Sequence, residues 1–297
     1  MQVLLVHKNP RPEATEIHDE SLRLVENALT QRQIAYEICE RECLTSDKAK
    51  EHLVVTVGGD GTFLDAAHYL HSKGHSVLFG VNSNQENSVG SLCAADSSNF
   101  EAVLDGYTSG KLKPIRVMRL QIALNGKKLE TSAFNDILIV HENPASMTRY
   151  WIEFGGEKVF HKNSGLWVCT PMGSTGAVCS TGGVAQPMDD GRLQWIVREP
   201  YFASEPRPKL LSGFVGEQDV LCIKSSTKGG RIYIDGPHVS EDFEEGSELK
   251  LSIVHDDLQM LFSQKMEQRR QQIGLLREKY ARRYAESGTR TRTGVPG

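Results

Sequence analysis

Short apolar runs alternate with helical patterns over about the first hundred residues of the chain. Runs rich in aliphatic and β-branched side chains predict four strands, at residues 3–6, 36–38, 53–57 and 77–81. Between the first two runs, apolar side chains recur at helical spacing at Leu22, Val25, Ala28 and Leu29. Strands that alternate with helices are typical of a parallel sheet with crossover helices, so this part is predicted to be α/β.

From about Ile115 onward, apolar and polar positions alternate and are interrupted by turn dipeptides. Three of these dipeptides are Asn125-Gly126, Gly155-Gly156 and Gly229-Gly230. The first lies between the strand-like segments 120–124 and 129–134, and both of its residues tolerate positive φ, so it predicts a type I′ hairpin. This part is predicted to be all-β. Three tryptophans in its strand-like runs are expected in the core, at Trp151, Trp167 and Trp195.

The length of 297 residues allows two domains with proper cores. We expect an α/β domain at residues 1–112 and a β-rich domain at residues 113–262. Residues 263–285 predict a helix with a thin apolar stripe, which would pack on the N-terminal domain or on a neighbouring subunit. Residues 286–297 are rich in Gly, Thr and Arg and are predicted to be a disordered tail.

The net charge of -4 is spread over mixed signs and gives no broad basic field, so nucleic acid is not an expected partner. The six cysteines form no CxxC pair or other zinc-binding spacing, which favours free thiols in a reducing compartment. The chain opens on a strand-like run and has no long apolar stretch, so no membrane segment is expected. We therefore predict a cytoplasmic protein with a small-molecule partner.

The third predicted strand ends in a cluster of glycines around one carboxylate, Gly58-Gly59-Asp60-Gly61-Thr62. Glycines permit positive φ and let backbone N–H groups approach an anion, so the cluster predicts a phosphate site. Because an aspartate does not itself favour phosphate, Asp60 suggests a hydroxyl to deprotonate or a cation to hold. The alternative is a tight strand-to-helix turn in which Asp60 or Thr62 caps the helix.

A second glycine-rich region follows the strand-like run 166–169. Its hydroxyls, on Thr170, Ser174 and Thr175, suit hydrogen bonds to a base and a ribose at close range. The alternative is an ordinary surface loop, because Ser, Gly and Thr are common in loops. Between the two glycine regions, Asn135-Asp136 precedes an apolar strand and matches a vicinal diol, although such a pair by itself is more often a turn.

Taken in order, these segments and a few others resemble the NAD kinase family over most of the chain. The shared motifs are Gly58-Gly59-Asp60-Gly61-Thr62, Gly80-Val81-Asn82, Asn135-Asp136, Ser164-Gly165, Thr170-Pro171-Met172-Gly173-Ser174-Thr175 and Asp235-Gly236. The plant NADH kinase branch looks nearest, through Asn135 to Ile139 and Val197-Arg198-Glu199-Pro200. The first motif alone also resembles diacylglycerol and sphingosine kinases and phosphofructokinases.

The resemblance implies an α/β nucleotide-binding domain with a Rossmann-like or phosphofructokinase-like parallel sheet, and a β-sandwich-like C-terminal domain. It implies a cleft between them that is completed in a homodimer or homotetramer. Transfer would run from ATP to the adenosine 2′-hydroxyl of NAD or NADH, with Asp60 as general base. Magnesium would be bound mainly through ATP phosphates, with no metal ligand assigned to the protein.

The resemblance also implies a role for each matching residue. Four residues would lie at the phosphates: Gly58, Gly59, Gly61 and Thr62. Asn135 and Asp136 would hold a ribose. The segment Thr170 to Ala177 would line the adenine pocket through Thr170, Gly173, Ser174, Thr175, Gly176 and Ala177, while Ser164 and Gly165 would contact the dinucleotide.

This chain departs from the common family pattern at three places. Common NAD kinases have Asn-Glu in place of Asn135-Asp136 and Asp-Gly in place of Ser164-Gly165. Without the second carboxylate near a cationic nicotinamide, we expect weaker selectivity for NAD over NADH. The segment after Asn82, through Ser88 to Leu92, is also longer than the usual turn.

Two other functions stay open from the sequence. A dinucleotide-binding sensor would keep the site and lose turnover, although Asp60 favours catalysis. A lipid kinase of the diacylglycerol kinase type would need an apolar groove for acyl chains, and the C-terminal helix offers only a thin apolar stripe.

Overall fold

The computed structural model describes residues 2–9, 12–49, 53–70, 76–201 and 209–290. The chain divides into two compact units. The first contains residues up to 118 together with 255–269, and the second contains residues 119–254 together with those from 270 onward. The sequence-predicted boundary at 112–113 therefore differs by six residues, and a later segment also returns to the first unit.

In chain order, the helices are α1 Thr15–Gln31, α2 Asp60–Tyr69, α3 Phe100–Thr108, α4 Ala177–Ser180 and α5 Gln264–Arg290. The strands are β1 Gln2–His7, β2 Ala35–Glu40, β3 Leu53–Gly58, β4 Val77–Asn82, β5 Ala95–Asp96, β6 Ile115–Leu124, β7 Lys127–Lys128, β8 Asp136–His141, β9 Thr148–Phe154, β10 Glu157–Asn163, β11 Gly165–Cys169, β12 Leu193–Arg198, β13 Ser212–Val215, β14 Leu221–Ser225, β15 Gly230–Ile234, β16 Val239–Asp242 and β17 Glu248–Met260.

The first unit is built on a parallel sheet, which confirms the α/β prediction. Its strands lie in the order β2-β1-β3-β4, and each neighbouring pair is parallel. The last residues of β17, Gln259 and Met260, pair in parallel with β4. Strands β3 and β4 are buried along their whole length, as their continuous apolar runs indicate. Gly58 and Asn82 pair at the carboxyl end of these two strands.

The second unit contains two sets of antiparallel strands, as the alternating sequence pattern predicts. One set has the order β10-β9-β14-β17, and the other has the order β13-β12-β11-β8-β15-β16. The Phe154 ring meets the Trp195 ring edge-on, with centroids 6.2 Å apart, so β9 packs against β12. Trp195 is fully buried as predicted, but the prediction for Trp151 is wrong, because that residue is 39% exposed. Trp167 is half-buried.

The predicted hairpin at Asn125-Gly126 is confirmed. Asn125 has φ 51° and Gly126 has φ 80°, and they join the antiparallel strands β6 and β7. The prediction of the second strand at 129–134 is wrong, because β7 contains only Lys127 and Lys128 and no strand forms over 129–134. Further along, Ala133 makes a single antiparallel bridge to Leu120.

Helix α5 begins at Gln264 and ends at Arg290, so it extends five residues beyond the predicted end at 285. Residues 286–290, predicted to be disordered, are therefore helical, and the rest of the predicted tail, 291–297, lies outside the described residues. The apolar stripe of the helix is buried at Met266, but Leu276 and Tyr280 are exposed. Among the described residues, no helix combines the length and apolarity needed to cross a membrane. The six cysteines all fall within the described ranges and are free thiols.

Candidate active site

The first glycine cluster forms the turn between β3 and α2. Strand β3 ends at Gly58, Gly59 is the residue before the helix, and Asp60 begins α2. The expected positive φ is wrong for Gly58, Gly59 and Gly61, none of which has one. The alternative with a capping side chain is not found either, because the cap position is Gly59, with φ -115° and no side-chain cap hydrogen bond.

Close approach, and not backbone conformation, explains two of these glycines. A Cβ at Gly58 would overlap the Thr62 hydroxyl, and a Cβ at Gly59 would lie 2.9 Å from the Ser88 hydroxyl. A Cβ at Gly61 would meet nothing within 4 Å. The first turn of α2 is therefore packed on one side and open at Gly61. An open helix N-terminus has unpaired N–H groups and a partial positive charge, which suit an anion such as phosphate.

The Asp60 carboxylate is held by the segment that follows β4. Its Oδ2 accepts a hydrogen bond from the Ser91 amide at 3.0 Å, and its Oδ1 accepts one from the Leu92 amide at 2.7 Å. A carboxylate has about four lone-pair sites, so each oxygen can still accept one more hydrogen bond. Asp60 is partly exposed, which leaves those sites open to a ligand. No local pattern in the sequence indicates these two amide contacts.

In the second unit, Asp235 organises the Asn135-Asp136 turn. Its carboxylate accepts hydrogen bonds from three successive backbone amides, those of Phe134 at 2.7 Å, Asn135 at 2.6 Å and Asp136 at 3.0 Å. From the sequence, Asp235 is part of a family motif without an assigned role. The structure shows that it shapes the turn expected to hold a ribose.

The Asn135-Asp136 turn presents two acceptor groups in a desolvated setting. Asn135 Oδ1 is buried and has no hydrogen-bond partner within the described part of the chain. Asp136 is partly exposed, yet desolvation and the negative charge of Asp235 raise the pKa of its carboxyl to about 7. Hydroxyl donors from a ligand would satisfy both groups, because a buried acceptor without a donor is costly.

The second glycine region packs directly against this turn. The Thr170 amide donates to the Asn135 carbonyl at 2.9 Å, and the Thr170 hydroxyl donates to the Phe134 carbonyl at 2.6 Å. A Cβ at Gly173 would overlap the Asn135 carbonyl, so only glycine fits there. A Cβ at Gly176 would lie 3.9 Å from the Asp136 carboxylate. The chain therefore brings the predicted residues Asn135, Asp136, Thr170, Gly173 and Gly176 together.

Two of the expected ligand hydroxyls instead hold the protein together. Thr170 and Ser174 are buried, and Ser174 Oγ donates to the Pro171 carbonyl at 2.7 Å and accepts from the Gln186 amide at 2.8 Å. The more accessible members of the segment are Thr175, Gly176 and Ala177. Both buried hydroxyls thus fix the shape of the segment.

Arg270 is a buried residue of α5 that sequence reasoning missed. Its guanidinium donates to the carbonyls of Pro171 at 2.6 Å, Met172 at 2.9 Å and Gln186 at 2.8 Å. It thereby braces the second glycine region from a position about a hundred residues away in sequence. Helix α5 contains many basic residues, and nothing in the sequence distinguishes Arg270 from the others.

A cavity of about 570 Å³ lies beside this region in the second unit. Its lining is mainly apolar and includes Thr175, Cys179 and Gly182 together with Ile273, Leu276 and Tyr280 of α5. Mostly apolar cavities of this size accommodate small ligands.

Ser164 and Gly165 lie at the other end of strand β11. Gly165 has φ 127°, and a Cβ there would lie 2.5 Å from the Ile139 carbonyl, so local packing explains this glycine. At the far end of the strand Cys169 pairs with Asp136. Ser164 is five residues before Cys169, which corresponds to about 16 Å along a strand. A single chain therefore does not bring Ser164 next to Asp136.

Comparisons with known proteins agree with this arrangement. The chain is 34% identical over 257 residues to a probable NADH kinase of Oryza sativa subsp. japonica, covering 80% of this chain and 78% of that protein. It is 30% identical over 259 residues to an NADH kinase of Arabidopsis thaliana, covering 80% and 81%. A search of protein-family models gave no match.

Solved structures share the fold. The crystal structure of an NAD kinase from Archaeoglobus fulgidus in complex with ATP matches with a TM-score of 0.71 and 21% identity, covering 90% of this chain and 95% of that chain. Yeast NADH kinase complexed with NADH matches with a TM-score of 0.68 and 19% identity, covering 91% and 86%. The identity to the plant relatives, over four fifths of this chain, shows that the chain belongs to the NAD kinase family.

Proposed function

We propose that this protein is a kinase that transfers the terminal phosphoryl group of ATP to the adenosine 2′-hydroxyl of NAD and NADH. The observation that carries the proposal is the position of Asp60 at the open N-terminus of α2, where each oxygen of its carboxylate accepts one backbone amide and has capacity for another donor. Family membership supports the same reaction, since the plant relatives are named NADH kinases and the archaeal and bacterial ones NAD kinases.

In this proposal Asp60 is the general base. It accepts the proton of the 2′-hydroxyl as that oxygen attacks the γ-phosphorus, and the bond from phosphorus to the ADP oxygen breaks. The phosphates lie at the turn formed by Gly58, Gly59, Gly61 and Thr62, where the open side at Gly61 leaves room for an anion. Gly58 and Gly59 pack closely against the side chains of Thr62 and Ser88, which supports a turn whose shape is fixed before the ligand binds.

We assign Asn135 and Asp136 to a ribose of the dinucleotide. The buried Asn135 Oδ1 and a carboxyl oxygen of Asp136 would each accept a hydrogen bond from a vicinal hydroxyl. An analogue without these hydroxyls would leave both groups without donors and would be rejected.

The adenine is assigned to the surface formed by Thr175, Gly176 and Ala177, with the neighbouring apolar cavity available for its ring. Thr170, Gly173 and Ser174 then act indirectly, because they shape that surface. This narrows the role expected from the sequence for Thr170 and Ser174.

Magnesium is proposed as the cation that accompanies ATP. The described ranges contain no group of three or more His, Cys, Asp or Glu side chains placed to hold a metal ion. A magnesium ion would therefore be carried mainly by ATP phosphate oxygens, where it neutralises charge on the phosphates.

We further propose that both NAD and NADH are acceptors, because Ser164 supplies no carboxylate to favour the cationic nicotinamide. Since Ser164 lies about 16 Å along the strand from the position that pairs with Asp136, we propose that it contacts the dinucleotide held by a neighbouring copy. A homodimer or homotetramer is therefore part of the proposal. We also propose a cytoplasmic location.

The test is to incubate the purified protein with magnesium-ATP and either NAD or NADH, and to quantify NADP and NADPH by mass spectrometry. Product from both dinucleotides is expected. Dinucleotide binding without product would favour the sensor. Phosphorylation of diacylglycerol in place of a dinucleotide would favour the lipid kinase.

A further inference from the structure

Arg269 reaches the backbone of the segment that contacts Asp60. Its Nη1 donates hydrogen bonds to the carbonyl oxygens of Val89 at 2.6 Å and Gly90 at 2.9 Å. The next two residues, Ser91 and Leu92, donate their amides to the two oxygens of the Asp60 carboxylate. Two consecutive carbonyls are thus held by Arg269, and the two following amides hold Asp60.

The first turns of α5 hold the backbone of Arg269 in place within the first unit. Met266, one turn before it, is buried, and the Lys265 ammonium lies 2.6 Å from the Asp96 carboxylate at the end of β5. Because the backbone of Arg269 is anchored in this way, its guanidinium can place the carbonyls of Val89 and Gly90 with little freedom. A charged donor to a carbonyl is also stronger than a neutral one.

The segment needs such an anchor because its outer part is exposed. Gln85, Glu86, Asn87 and Val89 are exposed to solvent. On the inner side, Asn82 Nδ2 donates to the Ser88 carbonyl at 3.0 Å. Asn82 therefore fixes one end of the segment near β4, and Arg269 fixes the part immediately before the two amides.

We propose that Arg269 is a positioning residue for Asp60, acting through the Val89–Leu92 backbone. This inference rests on the proposed function, in which Asp60 accepts the proton of the substrate hydroxyl. The guanidinium holds the backbone so that two amides point the carboxylate in one direction and leave its other lone pairs for the substrate. Such orientation of a base contributes to the rate of the chemical step more than to ground-state binding.

The experiment combines steady-state kinetics with hydrogen–deuterium exchange of peptides spanning residues 84–93. Arg269→Met removes both hydrogen bonds donated by Nη1, and Arg269→Lys keeps the charge but not the planar guanidinium. Gln268→Ala is the matched control on the exposed face of the same helix. We expect Arg269→Met to lower kcat about ten-fold with KM for ATP and dinucleotide nearly unchanged. Arg269→Lys should recover part of the loss, and Gln268→Ala should behave as wild type.

Exchange gives a readout that does not depend on activity. Arg269→Met should speed exchange of the peptides that contain Ser91 and Leu92 by about ten-fold. Asp60→Asn should do the same, and the double variant should exchange no faster than the faster single variant, because both substitutions break one connected set of contacts.

An unchanged kcat in Arg269→Met, in an active wild-type background, would overturn the inference. So would a loss of activity that appears only as raised KM with a lower Tm, which is the result of a purely structural brace. An inactive wild-type protein would count against the proposed function, while the exchange measurements would still decide whether Arg269 holds the amides on Asp60.

Discussion

The Asp235 carboxylate accepts a hydrogen bond from the Asn135 amide, with Asp235 Oδ1 2.6 Å from the nitrogen. It also accepts from the amides on either side, and Asp235 itself has φ 50°, a conformation that aspartate tolerates better than most residues. One side chain a hundred residues away in sequence thus fixes the shape of the Asn135-Asp136 turn.

Asp235→Asn should destabilise the protein and weaken dinucleotide binding. The new amide group turns a donor toward backbone N–H groups, so at least one amide loses its acceptor, at about 1–3 kcal/mol. Urea denaturation measures the loss, and KM for the dinucleotide should rise. Asp242→Asn is the matched control, because its carboxylate pairs with Arg231 at the surface and its loss should cost less than about 1 kcal/mol. Equal effects of the two substitutions would contradict the role assigned to Asp235.

Alanine substitutions at Gly58 and Gly61 should differ in their effect on stability. Gly58→Ala places a methyl group into the Thr62 hydroxyl and should lower the free energy of unfolding by about 1–3 kcal/mol. Gly61→Ala meets no neighbour and should leave that free energy unchanged or slightly higher. If ATP phosphate approaches at Gly61, the second variant should nevertheless show a raised KM for ATP. A normal KM in a stable Gly61→Ala protein would place the phosphates elsewhere.

The raised pKa of Asp136 predicts a pH-dependent stability difference. Its folded-state pKa of about 7 lies above the ordinary aspartate value of 3.8, so the folded state favours the neutral acid. Its stabilising contribution is full below about pH 4 and is lost as pH rises toward 7. The unfolding free energy of Asp136→Asn, minus that of wild type, should therefore increase from pH 4 to pH 7 and then level off. A difference that does not change with pH would show that burial does not penalise the ionised carboxylate.

Restoring a carboxylate at Ser164 should shift acceptor preference toward NAD. A unit charge about 4 Å from the cationic nicotinamide contributes about 1 kcal/mol in water, which corresponds to about five-fold in kcat/KM. Ser164→Asp should raise the ratio of kcat/KM for NAD to that for NADH by about this factor. Ser164→Asn, of the same shape but neutral, should leave the ratio near the wild-type value. Identical ratios in both variants would show that position 164 does not set the acceptor preference.

Local sequence signals were sufficient for much of the fold. The apolar runs of β1, β3 and β4 and the Asn-Gly hairpin depend on neighbouring residues, so their positions could be predicted. For Trp151 the sequence does carry the relevant signal. Strand β9 alternates buried and exposed positions, with Tyr150 and Ile152 inside, so the period of two places Trp151 outside.

The contacts that shape the candidate site could not be read in the same way. The Asp235–Asn135 bond spans 100 residues, and the Arg270–Met172 bond spans 98. Asp235 is one of several aspartates that precede a glycine in this sequence, and Arg270 is one of several basic residues in α5. Their roles follow from the folded arrangement of distant segments, which residue types and spacing do not specify.

Asp60→Asn tests the claim that Asp60 is the base of a dinucleotide kinase. Wild type and variant are incubated with magnesium-ATP and NAD or NADH, and NADP and NADPH are quantified while dinucleotide binding is measured in parallel. We expect product from wild type, and at least about 100-fold less from the variant with dinucleotide binding retained, as for loss of a general base. Undiminished product from Asp60→Asn, or none from a wild-type protein that binds the dinucleotide, would contradict the claim.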